Sequence, residues 1–262
     1  MPATPGVERP PLTACGFSHP GRVRDENEDA FGSFVEERLF IVADGMGGHN
    51  AGQVASLMTV DAIETFFRSY HVDPRQAWPH AIDKTLSLGA NLLRVGIKVA
   101  NDKVRAAAAA DRTRARMGST VVALAVGDAQ LTVAHAGDSR AYRIRDNEVK
   151  RLTRDHSVLE EMLAARADMT KDEIAAFAHR NVVTKSLGSK EEVEPTLYVN
   201  TLALGDRYLL CSDGLWSVVP DATIEAIVRD NDDIEAACQL LIDAANEAGG
   251  PDNISAVLVR VG

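Results

Sequence analysis

The sequence predicts an α+β fold built from two antiparallel sheets covered by pairs of helices. Two observations carry this expectation. Hydrophobic periodicity divides the chain into a block of strands, a block of helices, a second block of strands, and then helices with one final strand. The long helical stretches also come in pairs rather than alternating singly with strands, which argues against a simple βαβ sheet.

Taken in order, residues 12–18, 30–36 and 38–43 read as strands, the last two forming a hairpin. Residues 53–70 place Val54, Leu57, Met58, Ile63, Phe66 and Phe67 on one helical stripe. A second helix is predicted from about 79 to 109, ending in an alanine-rich stretch of strong helix propensity. Strands at 120–126, 130–135 and 140–145 read as a meander, with Gly127-Asp128 as one turn. Residues 157–177 are helical and more charged. Strands return at 181–186, 195–200 and 207–211, and helices at 221–229 and 233–247 lead to a last strand, 254–261.

The chain has 262 residues, enough to bury a substantial core in one large domain. Residues 1–11 carry four prolines and no apolar segment, so they read as a short disordered arm and not as a secretory signal. Residues 12–262 are then expected to form a single domain. No apolar run approaches the roughly 20 residues that span a membrane, so no membrane anchor is expected. Acidic residues exceed basic ones by 38 to 28, which disfavours a nucleic-acid partner because phosphate backbones need a basic face. The three cysteines, Cys15, Cys211 and Cys238, are far apart and odd in number. Cys211 sits in an apolar run, as a buried thiol does, and a reducing cytoplasm fits best.

The chemistry lies in where the aspartates fall. Apolar strands end in Asp44-Gly45, Asp138-Ser139 and Asp213-Gly214, while Glu28-Asp29 and Asp252-Asn253 introduce others. One Asp-Gly alone is most simply a hairpin turn. Several carboxylates meeting at one edge of a sandwich would repel in a poorly solvated place and need cations. All-oxygen ligation favours magnesium or manganese over zinc. Glycine after Asp44 would let a backbone carbonyl approach an ion.

These residues resemble the metal-dependent protein phosphatases of type 2C, in their bacterial form. Gly21 to Asp29 looks like the family's G-x-x-R-x-x-N-E-D element, and Asp44-Gly45-Met46-Gly47-Gly48-His49 like its D-G-M-G-G-H loop. Met117-Gly118-Ser119-Thr120, Gly137-Asp138-Ser139-Arg140, Asp155-His156-Ser157, Asn181 to Gly188, Ser212-Asp213-Gly214 and Gly250-Pro251-Asp252-Asn253 follow in the family's order. The resemblance implies a four-layer α-β-β-α sandwich and hydrolysis of phosphoserine and phosphothreonine in proteins by a water shared between two Mn2+ or Mg2+ ions. It implies that Asp44 bridges both ions, that Asp213 and Asp252 complete one, and that the Gly45 carbonyl serves the other. Glu28 and Asp29 would act on that second ion directly or through its waters, and Asp138 with Asp213 would hold a weaker third. Arg24 corresponds to the phosphate-binding arginine and His49 to the proton donor. A cognate serine/threonine kinase is an implied partner, and residues 157–177 correspond to the variable flap.

Other residues carry plainer readings. Arg140 is expected to pair with nearby carboxylates, His135 and His156 to pack or hydrogen-bond, and Trp216 to sit in the core. His19 stands where the family commonly has aspartate, with an effect expected only on a local turn. Ser217 lies four residues after Asp213, where some relatives have a further acid for the third ion. An inactive module that binds or senses phosphoproteins is the alternative function. It should lack Asp44, Asp213 or Asp252, and all three are present.

Overall fold

The computed structural model describes residues 9–48, 50–146, 148–166, 168–170, 173–174, 177–179 and 182–262. Strands β1 (Leu12–His19), β2 (Asp29–Phe34) and β3 (Leu39–Met46) come first, followed by helices α1 (Ala51–Val72) and α2 (Leu88–Ala110). Strands β4 (Gly118–Ser119), β5 (Val121–Val126), β6 (Gln130–Ala136), β7 (Arg140–Arg145) and β8 (Glu148–Arg151) lead to helix α3 (Val158–Ala165). Then come β9 (Thr196–Thr201), β10 (Arg207–Cys211), a one-turn helix α4 (Asp213–Trp216), α5 (Asp221–Asp230), α6 (Ile234–Glu247) and β11 (Ile254–Val261).

One sheet runs β1-β11-β10-β7-β8 and the other β2-β3-β5-β6-β9, with β4 paired to β3; every pair is antiparallel. Side-chain alternation builds the layers. Leu39, Ile41 and Ala43 of β3 face α1 and α2, where Ile63, Phe67 and Leu92 are buried. Phe40 and Val42, on its other face, meet Val257 and Val259 of β11 between the sheets. Ile254, Ala256 and Leu258 of β11 then turn outward onto α5 and α6. The result is the four-layer α-β-β-α sandwich. Among the described residues no helix is long and apolar enough to cross a membrane.

Several expectations need correction. The strands at 120–126, 130–135 and 140–145 do not form a meander. β5 and β6 pair, but β7 crosses to the other sheet and pairs with β10 and β8. Gly137, at φ +118°, makes that crossing in a conformation suited to glycine. The second helix starts at Leu88 and not near 79, because the Ser87 side chain accepts a hydrogen bond from the Ala90 amide and caps it there. Leu57 is 54% exposed. Ile63, Phe66 and Phe67 are buried as expected, and the buried face of α1 continues through Ala55, Thr59 and Tyr70. No continuous strand occupies the described part of 181–186, where Val183 makes only an isolated bridge to Ser157. The one-turn helix at Asp213 and the edge strand β8 were not foreseen. Residues 1–8 of the expected arm lie outside the described residues. Its last three are tied down: Arg9 pairs with Asp128 at 2.8 Å, Pro10 accepts from Arg38, and Pro11 accepts from Gly262.

Candidate active site

The carboxylates converge at one end of both sheets because each ends or begins a strand there. Asp29 opens β2 and stands directly opposite Asp44 near the end of β3. Like charges so placed repel at short range. Asp213 begins α4 just beyond β10, Asp252 precedes β11, and Asp138 lies in the β6–β7 crossover.

Backbone and hydroxyl contacts fix this edge. The Asp44 amide donates to Thr120 Oγ1 at 3.0 Å, and that hydroxyl is 2.7 Å from Ser139 Oγ. Ser212 Oγ donates to Asp29 Oδ2 at 2.7 Å. Asn253 accepts from the Glu28 amide at 2.8 Å and donates to the carbonyls of Pro20 and Glu26. Glu28 itself accepts from the Gly52 amide at the start of α1. A Cβ on Gly45 would strike the carbonyls of Gly52 and Glu28. Glycine is therefore required by the close passage of three backbones, a stronger constraint than the ion-facing carbonyl anticipated from sequence.

The electrostatics follow from crowding. Burial, and then Asp29, Asp213, Asp138 and Asp252, push the Asp44 carboxyl well above the ordinary carboxylate range. Burial raises Asp29, with Asp213 and Asp252 adding to it, and raises Asp213, with Asp252 adding to it. Asp138 is pushed up to about 7 by burial and by Asp213 and Asp155. Burial also raises Glu28. Groups that resist ionising when close together become ligands once a cation replaces the proton.

Whether these residues fit hard divalent cations is a question of donor type and spacing. The donors are carboxylate and carbonyl oxygens, with no thiolate or imidazole among Glu28, Asp29, Asp44, Gly45, Asp138, Asp213 and Asp252. Among the described residues no group of three or more His, Cys, Asp or Glu side chains is arranged to hold a metal ion. The fit therefore rests on donor type alone, the hard oxygens suiting cations that take one or two carboxylates and fill the rest with water.

Arg24 reaches this edge and donates to Asp252 Oδ2 at 2.8 Å; that hydrogen bond, with the Asp252 charge, raises its pKa. Asp252 Oδ1 accepts from the Asn253 amide, so both of its oxygens are engaged. His49 lies outside the described residues, as does part of the 157–177 segment. Helix α3 occupies the described start of that segment and walls a cleft of about 680 Å³ with Asp138, Asp213, Trp216 and Ser217.

The plainer readings are met in most cases. Arg140 pairs with Asp155 at 2.6 Å, and its guanidinium lies 3.4 Å from the centroid of the Trp216 ring. Trp216 is therefore half-buried at the cleft wall and only partly core. His19 Nδ1 accepts from the Gly21 amide at 2.9 Å, which closes a local turn. His156 brackets Gly137: its amide donates to the Gly137 carbonyl at 3.0 Å, and its Nδ1 accepts from the Gly137 amide at 3.1 Å. Burial and then His135, stacked on it with centroids 4.4 Å apart, lower the His156 pKa to about 3. The ring is neutral, so its Nε2–H donates to Thr196 Oγ1 at 2.8 Å. Sequence reasoning gives no role to Thr120, Ser212 or Asn253, although each lies within a motif element; for His156 it gives only packing or hydrogen bonding, without the Gly137 partner.

The sequence matches the protein phosphatase 2C family over residues 16–258. The serine/threonine phosphatase stp of Listeria welshimeri is 34% identical over 247 residues, covering 92% of each chain. The crystal structure of serine/threonine phosphatase Stp1 from Staphylococcus aureus is similar with a TM-score of 0.85 at 30% identity, over 100% of both chains. The catalytic domain of serine/threonine protein phosphatase PstP, solved in complex with two manganese ions, is similar with a TM-score of 0.79 at 32% identity, covering 95% of this chain and 98% of that one. On the match of the family to most of its length, the chain belongs to the protein phosphatase 2C family.

Proposed function

We propose that this protein is a metal-dependent serine/threonine protein phosphatase that hydrolyses phosphoserine and phosphothreonine in other proteins. The observation that carries the reading is the opposed pair Asp29 and Asp44, joined by Asp213, Asp252 and Asp138 at one sheet edge. An inactive module has no use for so crowded a cluster of acids, two of them, Asp29 and Asp138, buried.

The residues would be used as follows. Asp44 would bridge two divalent cations, Asp213 and Asp252 would complete one, and the Gly45 carbonyl with Glu28 and Asp29 would serve the other. Asp138 and Asp213 would hold a weaker third, to which Ser217 adds no charge. The two manganese ions of PstP support a two-ion centre, and magnesium suits the same oxygens. Bound there, such cations acidify water and neutralise a phosphate dianion, so no covalent phospho-enzyme is needed. Arg24 exchanges Asp252 for the non-bridging phosphoryl oxygens and steadies their growing charge. His49 gives a proton to the departing serine or threonine oxygen. The catalytic domain spans 12–262, and residues 157–177 act as the flap.

Three free cysteines support a reducing cytoplasm. A serine/threonine kinase working on the same proteins is the natural partner, since it supplies the phosphorylated substrate.

The test is phosphopeptide hydrolysis by dialysed protein in excess EDTA and after adding back manganese or magnesium. Turnover should vanish with the chelator and return with either ion. Full turnover in EDTA would rule out the metal-dependent mechanism.

A further inference from the structure

A basic loop borders the catalytic edge from the side of α2. Arg112-Thr113-Arg114-Ala115-Arg116, which opens with a single 3-10 turn at Arg112–Arg114, follows α2 after Asp111 and leads into β4, in a chain of net charge −10. The one acid beside it, Asp111, is occupied: Oδ1 accepts from the Thr113 amide and hydroxyl at 2.9 and 2.7 Å, and Oδ2 lies 3.5 Å from Arg114 Nε. Arg112 and Arg116 are exposed, and among the described residues neither has a carboxylate partner. Most arginines elsewhere around the site are taken, Arg24 by Asp252, Arg140 by Asp155, and Arg151 and Arg154 by Glu160; Arg22, beside Gly250, stands alone among the described residues and not in a cluster. A single cation after α2 would answer the partial negative charge of its C-terminus. Three at alternate positions exceed that need.

The loop is held in place. The Met117 side chain is buried against Ala51, Ala55 and Val104, and its amide donates to the Arg114 carbonyl at 2.9 Å. Ser119 exchanges backbone hydrogen bonds with Leu187. Gly118 stands opposite Met46, and Ser119 opposite Gly45, one residue from Asp44. Arg116 is two residues before Gly118, so its Cα lies at most roughly 20 Å from that of Asp44, about six residues of extended chain.

We infer that the 112–116 loop is a docking surface for substrate segments that carry acidic or further phosphorylated residues three to six positions from the phosphoresidue. The inference rests on the phosphatase reading and names the substrate class it prefers. Exposed charges are screened over about 8 Å at physiological salt, so the preference is modest and depends on salt.

The test compares two fluorescent phosphopeptides, identical except for four glutamates or four glutamines at those positions. Each is offered to the wild type, to Arg112→Gln/Arg116→Gln and to Arg112→Lys/Arg116→Lys. The glutamine variant should lose about 3–10-fold in kcat/KM on the acidic peptide only. Activity on the neutral peptide and on nitrophenyl phosphate should be unchanged, and the loss should shrink at high salt. The lysine variant should keep most of the preference, because a charge and no fixed geometry is required. Equal effects on the two peptides, or none on either, would overturn the inference. Fluorescence anisotropy with the same peptides reads docking without turnover. Tighter binding of the acidic peptide that disappears in the glutamine variant supports the surface even if no hydrolysis occurs, whereas absent nitrophenyl phosphate turnover would count against the phosphatase reading alone.

Discussion

At Asp44 the protein holds a carboxylate opposite Asp29, and among the described residues no lysine or arginine is paired with either. Ser212 Oγ donates to Asp29 Oδ2, whereas Thr120 Oγ1 accepts from the Asp44 backbone amide and fixes the strand without touching its charge. With the residue roles proposed above, the positive charge for the reaction would come from bound cations and Arg24, and the acids of the cluster would be occupied as ligands. A separate donor is therefore needed for the leaving oxygen, and His49 is the group proposed for it. A serine alkoxide leaves poorly without a proton, whereas nitrophenolate leaves readily. General acid catalysis contributes about 10²–10⁴-fold, concentrated on the poor leaving group. His49→Ala should thus damage phosphoserine-peptide hydrolysis far more than nitrophenyl phosphate hydrolysis. Arg24→Ala should harm both, because both substrates present the same phosphoryl oxygens. Equal losses in kcat/KM on the two substrates for His49→Ala would remove it from the proton-donor role.

At the scale of elements, the crossover from β6 to β7 carries Asp138 between the sheets, and His156 clamps it. Its two hydrogen bonds to Gly137 and the Nε2–H bond to Thr196 join the crossover to the root of α3 and to β9. His156→Ala removes the acceptor for the Gly137 amide and should raise several-fold the manganese concentration giving half-maximal activity. The stability cost should be about 1–3 kcal/mol, the range for a buried group left unpaired. His156→Asn keeps an acceptor at the Nδ1 position and should restore the metal requirement. Identical metal titrations for the two variants would show that ring packing, and not the clamp, matters. The same crossover marks where sequence reading stopped. β10 and β11 are legible to the residue because near-continuous apolar runs, buried on both faces, are bounded by Ser212-Asp213 and by Asp252-Asn253. Closely spaced strands such as β6 and β7 look alike whether they pair or part, since alternation says nothing about which sheet a strand joins. The ligand candidates were legible because each stands at a strand end. Their supports were not, because Thr120, Ser212 and Asn253 meet partners 76, 183 and 225 residues away.

Over the whole molecule, the acidic edge makes folding depend on pH in an unusual direction for carboxylates. Unfolded aspartates ionise near 3.8, whereas folded Asp138 keeps its proton up to about 7, chiefly through burial, and burial raises Asp29 as well. Between those limits the folded chain binds more protons than the unfolded one, so its stability falls as pH rises. The contribution is fully present below about pH 4 and is lost as pH climbs through 7. The net charge of −10 adds self-repulsion in the same direction. Protein freed of metal by chelation should therefore melt at a higher temperature near pH 5.5 than near pH 8. Asp138→Asn cannot ionise and should flatten this slope, while moderate salt should trim only the surface part. Divalent cations held by the ionised cluster, as proposed, would find it in the folded state alone and stabilise that state by mass action. Manganese or magnesium should accordingly raise the melting temperature more at pH 8 than at pH 5.5. Calorimetry at both pH values, with chelator or metal, for the wild type and Asp138→Asn decides the matter. A metal-free protein that gains stability from pH 5.5 to 8, or a variant with an unchanged slope, would mean that the buried aspartates are not what links folding to protons.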